Sequence, residues 1–190
     1  MKAITIWQPW ASLLACGGKR FETRSWATSY RGPIAIHAAA PNIRRILKKC
    51  FPMGDWSYHP DHQAQTAFLE ALSKAFGVPG DGIMDHLEKL PTGAVIAAAD
   101  LVNVLRIVHH PGTDVDTAKH IPVGAESLTT NKHAPDFDCY IVPSEQELMF
   151  GNWTPGRYAW EIANVKMIDP IPTSGRQGLW TWNGEPFLLG

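Results

Sequence analysis

The stretch Gly17-Gly18-Lys19-Arg20-Phe21-Glu22-Thr23-Arg24 sets three cations and one carboxylate behind a pair of glycines. The glycines release the chain and let its backbone approach a ligand closely. In a strand starting near residue 20, Arg20, Glu22 and Arg24 point to one face, and Phe21 and Thr23 to the other. Glu22 is then flanked by two guanidiniums, while Lys19 at the turn swings to either face. A carboxylate so placed orients a guanidinium fork toward an anionic group. A lysine in this company is a candidate base or nucleophile. The same residues also suit a surface strand carrying a satisfied ion-pair ladder, and the charges alone do not separate the two readings.

Other residues extend the candidate site. Tryptophans beside a basic cleft can stack a base, worth on the order of 1–3 kcal/mol each. Alternation assigns Trp160 to a core face with Tyr158 and Ile162, and Trp10 to the core side of a helix; Trp26 and Trp153 stand in turn-like contexts and are the stacking candidates. Arg157 follows Pro155-Gly156, and Arg31 precedes Gly32; both are candidate phosphate contacts. His37 lies in an apolar strand, where a hydrogen-bonded structural role competes with a ligand-binding one. The pairs His59/His62 and His109/His110 lack ligand spacing, so no metal is expected, and no cofactor either. Glycine-rich phosphate signatures are absent. Cys16, Cys50 and Cys139 show no zinc pattern, disulfide framework or histidine partner, which points to a reduced, cytoplasmic setting. The opening residues run into a strand pattern without a signal-peptide layout, and no apolar run approaches the roughly 20 residues that cross a bilayer.

The net charge of −1 hides an asymmetry. Residues 1–50 hold nine Lys or Arg and one acid, a balance of +8, and residues 51–190 balance to −9. This suggests a basic face meeting an anionic partner. The alternative is that these cations pair with the later acids.

Those side chains need elements to position them. Residues 2–7 alternate as a strand, and Pro9 followed by Trp10–Cys16 and two glycines marks one short helix. Strands are expected at 19–26, 33–40, 93–107 and 157–168. Helices are expected at 42–50, at 61–76 with Asp61 as cap, and at 83–90; residues 109–136 read as a loop. The plan is α+β: one domain over 1–190 with a helical insertion at about 41–92. Arg44, Arg45, Lys48 and Lys49 give that insertion a basic helix, which reads either as a solvated face or as one better tolerated beside an anion.

The ordered combination Gln8-Pro9-Trp10-Ala11-Ser12, Gly17-x-Lys19-x-x-Glu22-x-Arg24 and Tyr30-Arg31-Gly32-Pro33-Ile34-Ala35-Ile36-His37 resembles an ASCH domain, the activating-signal-cointegrator homology domain. Phe150–Glu161 and Gly178-Leu179-Trp180 are similar to the same family, so the likeness covers roughly 2–40 and 93–182. It implies a PUA-like small β-barrel with flanking helices, a cleft beside the motif, and binding of RNA, single-stranded nucleic acid or a nucleoside-like molecule. Some members resemble nucleases, and a small bacterial branch hydrolyses N4-acylated cytidines with a Lys and a Thr of the motif and a Glu from elsewhere. Lys19 matches that lysine; Glu22 stands where the branch has its threonine.

The expected ligand-binding set is Lys19, Glu22, Arg24, Trp26, Arg31, His37, Trp153 and Arg157. In a hydrolase, Lys19 and Glu22 would be catalytic, on an acylated cytidine or on RNA. A third reading is a protein-interaction module docking through the insertion. No membrane role is expected.

Overall fold

In a computed structural model, the structure describes residues 1–41, 43–50, 60–109, 123–127, 140–141 and 143–184. They cluster into two compact units: Met1–Gly18, Pro33–Ala99 and Asn164–Gly190 in the first, Lys19–Gly32 and Asp100–Ala163 in the second. The strands are β1 (Lys2–Ile6), β2 (Phe21–Arg24), β3 (Gly32–Ala38), β4 (Ala94–His109), β5 (Val123–Ser127), β6 (Tyr140–Ile141), β7 (Tyr158–Pro172) and β8 (Leu179–Thr181). The helices are α1 (Trp10–Ala15), α2 (Ile43–Cys50), α3 (Pro60–Phe76), α4 (Ile83–Glu88) and α5 (Glu145–Phe150). The architecture is α+β, a mixed sheet with helices. No helix among the described residues is long and apolar enough to cross a membrane.

In the first unit the strand order is β4-β3-β1-β8. β1 runs parallel to β3, with Thr5 opposite His37, and antiparallel to β8, with Ala3 opposite Trp180. Ala3, Ala35, Val95, Ile168, Trp180 and Trp182 form one apolar cluster. α1 starts just after Pro9 and stops at Gly17, whose φ of 79° suits a residue without a side chain. It buries Leu13 and Leu14 completely, while Trp10 is half-buried with its ring 6.2 Å from Phe68 of α3. A Cβ on Gly18 would stand 3.2 Å from both Ala75 and Leu13, so the second glycine lets the chain pass close to α3. α2 buries Ile43, Ile46 and Leu47 and exposes Arg44 and Arg45, as a 3.6-residue period requires.

In the second unit β2 pairs with β7, β7 with β4, β4 with β5, and β5 with β6. Phe21, Leu105, Ile107, Trp153 and Ala159 make its apolar cluster. β5, β6, α5 and β8 depart from the sequence reading. β5 lies inside the stretch read as a loop; Val-Gly-Ala-Glu-Ser does not alternate, and pairing with residues 105–109 of β4 makes the strand. α5 and β8 were not expected, being six and three residues long and too short for a periodic signal. Cys139 and His110 lie outside the described residues, as do His59 and the side chains of Lys48, Lys49, Cys50, Asp61, His62 and His109.

Candidate functional site

β2 carries the motif and pairs antiparallel with the start of β7: Phe21 opposite Glu161, Glu22 opposite Trp160, Arg24 opposite Tyr158. Phe21 therefore joins the apolar cluster of the second unit, and Glu22 and Arg24 lie on the other face, as strand parity predicts. Lys19 is almost wholly buried. Its Nζ donates to the Phe21 carbonyl and stands 3.3 Å from Glu22 Oε2. Glu22 Oε1 is 3.1 Å from Arg24 Nε. One carboxylate thus pairs with two cations, Lys19 and Arg24.

Arg20 is a correction. It does not flank Glu22; its guanidinium pairs with Glu161 and lies 5.2 Å from the centre of the Phe21 ring. Glu161 sits opposite Phe21, so the carboxylate that captures Arg20 comes from β7. In the first unit Arg44 pairs with Glu88, its Nε 2.7 Å away. Both pairs belong to the alternative in which early cations meet later acids.

Among the described residues β2 ends the strand order, so one edge has no strand beside it. The Arg20 carbonyl accepts from the Ile162 amide of β7 at 3.0 Å, and alternation turns the backbone groups of Phe21 and Thr23 outward. Side chains cap them. Lys19 takes the Phe21 carbonyl, Glu147 takes the Phe21 amide at 3.3 Å, and Arg157 Nη2 donates to the Thr23 carbonyl at 3.4 Å. The Thr23 hydroxyl accepts from the Asn152 amide at 2.9 Å. The motif lysine is therefore also a structural cap on the strand that bears it.

Glu147 was not expected at the site. It is the third residue of α5, whose cap Ser144 accepts from the Glu147 amide at 3.2 Å. Ser144-x-x-Glu147 is a capping-box spacing and signals the helix. Nothing local signals that this carboxylate reaches across to β2. It is 8% exposed, and its Oε1 accepts from the backbone amides of Arg20 and Phe21. Burial pushes its carboxyl above the ordinary range, although those amides and the nearby Lys19 and Arg20 charges pull the other way.

The aromatic candidates divide. Trp153 is 5% exposed, its indole donates to the Glu147 carbonyl at 2.8 Å, and its ring meets Phe21 edge-on at 5.7 Å. Its place is the apolar cluster, not an open turn. A Cβ on Gly151 would stand 2.6 Å from the Trp153 indole nitrogen, so glycine makes room for that ring. Trp26 is half-buried, 4.6 Å from Trp160 in an edge-on contact, and its carbonyl accepts from the Trp160 indole at 3.2 Å. Trp160 itself is fully buried.

Arg157 also donates to the Asn152 carbonyl at 3.2 Å, which ties it beside the end of β2. Arg31 is turned onto its own loop, donating to the Thr28 and Tyr30 carbonyls at 2.9 and 2.8 Å; partial burial draws its guanidinium below the ordinary value. His37 belongs to the first unit, whereas the other seven expected residues belong to the second. It is 1% exposed, and its Nε2–H donates to the Thr173 carbonyl at 3.0 Å. Its ring meets Trp180 edge-on at 5.8 Å, and Trp180 donates to the Thr5 hydroxyl at 3.1 Å. Gly175 presses on this group: a Cβ there would lie 2.7 Å from His37 Nδ1 and 2.8 Å from Thr5 Oγ1.

The second unit thus offers a buried amine, a shared carboxylate, a partly exposed guanidinium and a half-buried indole along one short strand and the turn after it. The family model for the ASCH domain matches residues 4–172. No curated protein matches the chain at a significant level.

Proposed function

Because the chain belongs to the ASCH domain family, which is PUA-like, we propose that it binds RNA through the Lys19–Glu22–Arg24 cluster of β2. RNA binding is what the family suggests in general; the site and the contacts are the proposal. The observation that carries it is the shared carboxylate: Glu22 lies 3.3 Å from Lys19 Nζ and 3.1 Å from Arg24 Nε. Two cations on one anion leave a formal positive excess, which a phosphate completes. Arg24, the more exposed of the two, contacts the phosphate, Trp26 offers a ring edge to a base, and Arg157 supplies a further cation near the end of the strand. Residues 41–92 are read as an insertion within one family domain.

The test is binding of a single-stranded oligouridine across a salt series. Affinity falls as salt rises, with a log–log slope of about −0.7 per phosphate neutralised. Arg24→Ala weakens binding and flattens the slope while the fold is retained. If Arg24→Ala and Lys19→Ala both bind as the parent does, the site is misassigned.

A second reading is hydrolysis of an N4-acylated cytidine or of RNA. What favours it is a lysine with its side chain 1% exposed and its amine paired with a carboxylate. Lys19 would then act as base or nucleophile and Glu22 as proton shuttle. Product formation that disappears in Lys19→Ala supports this reading; no turnover of acylcytidines or RNA removes it.

A further inference from the structure

Glu147 Oε2 is buried and has no hydrogen-bond partner among the described residues. The sister oxygen, Oε1, is used by two backbone amides, so the carboxyl cannot turn to share its burden without abandoning them. A charged oxygen held away from water without a donor costs several kcal/mol, and a proton on it removes most of that cost. The charges that face it are Lys19 and Arg20 from the motif. Each of these is already engaged: Lys19 with Glu22, and Arg20 with Glu161 of β7. Glu145, on the same helix, is exposed.

We propose that Glu147 is a positioning residue that carries a proton on Oε2 and so sets the formal charge of the motif. With the proton in place, Lys19 and Arg24 outweigh Glu22 by one unit. Without it, the four side chains balance. The carboxyl also holds the Arg20 and Phe21 amides, so the change reaches the backbone of the motif directly. This deepens the RNA reading and rests on it for one consequence: an anionic ligand is held more tightly while the proton is present. Affinity then falls as pH rises through the Glu147 midpoint, by up to about tenfold per pH unit. Glu147→Gln keeps the shape and the amide acceptor but cannot ionise, so its affinity is level over the same range.

Two measurements on the full chain test this. The first follows the Phe21 amide and the Glu147 side-chain carboxyl carbon by NMR as a function of pH. Both move together with a midpoint above the ordinary carboxylate range, and Glu147→Gln abolishes the Phe21 movement. A midpoint inside the ordinary range, or a silent Phe21 amide, overturns the inference even if the variant fails to fold, because the parent alone decides it. The second measures oligouridine affinity against pH in parent and Glu147→Gln. Equal pH dependence in both overturns the coupling. Absence of oligouridine binding at every pH defeats the RNA reading instead, and the NMR midpoint still decides the charge of Glu147.

Discussion

Each unit buries a polar group with one atom unpartnered among the described residues: Glu147 Oε2 in the second, His37 Nδ1 in the first. The surroundings differ. Around Glu147 stand the charges of Lys19 and Arg20, themselves paired with Glu22 and Glu161, and two backbone amides. Around His37 stand the Thr173 carbonyl, the Trp180 ring and the backbone of Gly175, none of them charged. A neutral imidazole that donates from one nitrogen keeps only a lone pair on the other, and crowding can hold that in place. A carboxyl oxygen has no such option short of taking a proton. One region is thus governed by charge and the other by shape, and perturbations of charge and of volume should sort between them.

The largest effect is expected from Lys19→Ala. It leaves the Phe21 carbonyl without its donor and removes half of the cation pair on Glu22, costing about 3 kcal/mol of stability. Urea denaturation should show this as a lowered midpoint with an unchanged slope, accompanied by lost oligouridine binding. Gly175→Ala comes next, because an added methyl meets His37 Nδ1 and Thr5 Oγ1 inside normal contact. Overpacking of this kind costs about 1–3 kcal/mol. Affinity for oligouridine should be unchanged, and an equal loss of binding would collapse the distinction between the regions.

A third test is confined in pH. Burial raises the Glu147 carboxyl above its unfolded value. The folded state therefore binds the proton more tightly, so this contribution to stability is complete below the unfolded value and is lost as pH rises through the folded one. Thermal melts should show the parent losing stability across that window, while Glu147→Gln stays level. The smallest effect belongs to Arg44→Ala. Arg44 is 74% exposed in its pair with Glu88, and such pairs contribute about 0.5 kcal/mol or less.

Much of the arrangement is written locally. Pro9 and Gly17 bound α1, and strand parity puts Phe21 into the apolar cluster and Glu22 with Arg24 on the other face. The ordered motif also carries the family, since its likeness rests on residue types at fixed spacing. What could not be read depends on partners distant in the chain. Arg20 leaves Glu22 because Glu161 arrives from β7, 141 residues later. Trp153 looks like a turn residue and is buried because Phe21 and the Glu147 carbonyl meet it. β5 and β8 owe their existence to the strands they pair with, not to their own alternation. The Glu147 helix has a legible cap, but its carboxylate acts on amides 126 and 127 positions away.

The side-chain caps on β2 carry a consequence for solubility. A bare strand edge is a template for a second chain, and the present one is occupied by Lys19, Glu147 and Arg157 instead. Substitutions that strip those caps should uncover the template as well as weaken the ligand site. Variants such as Lys19→Ala are then expected to self-associate at high concentration, by strand addition along Phe21–Arg24, before they unfold.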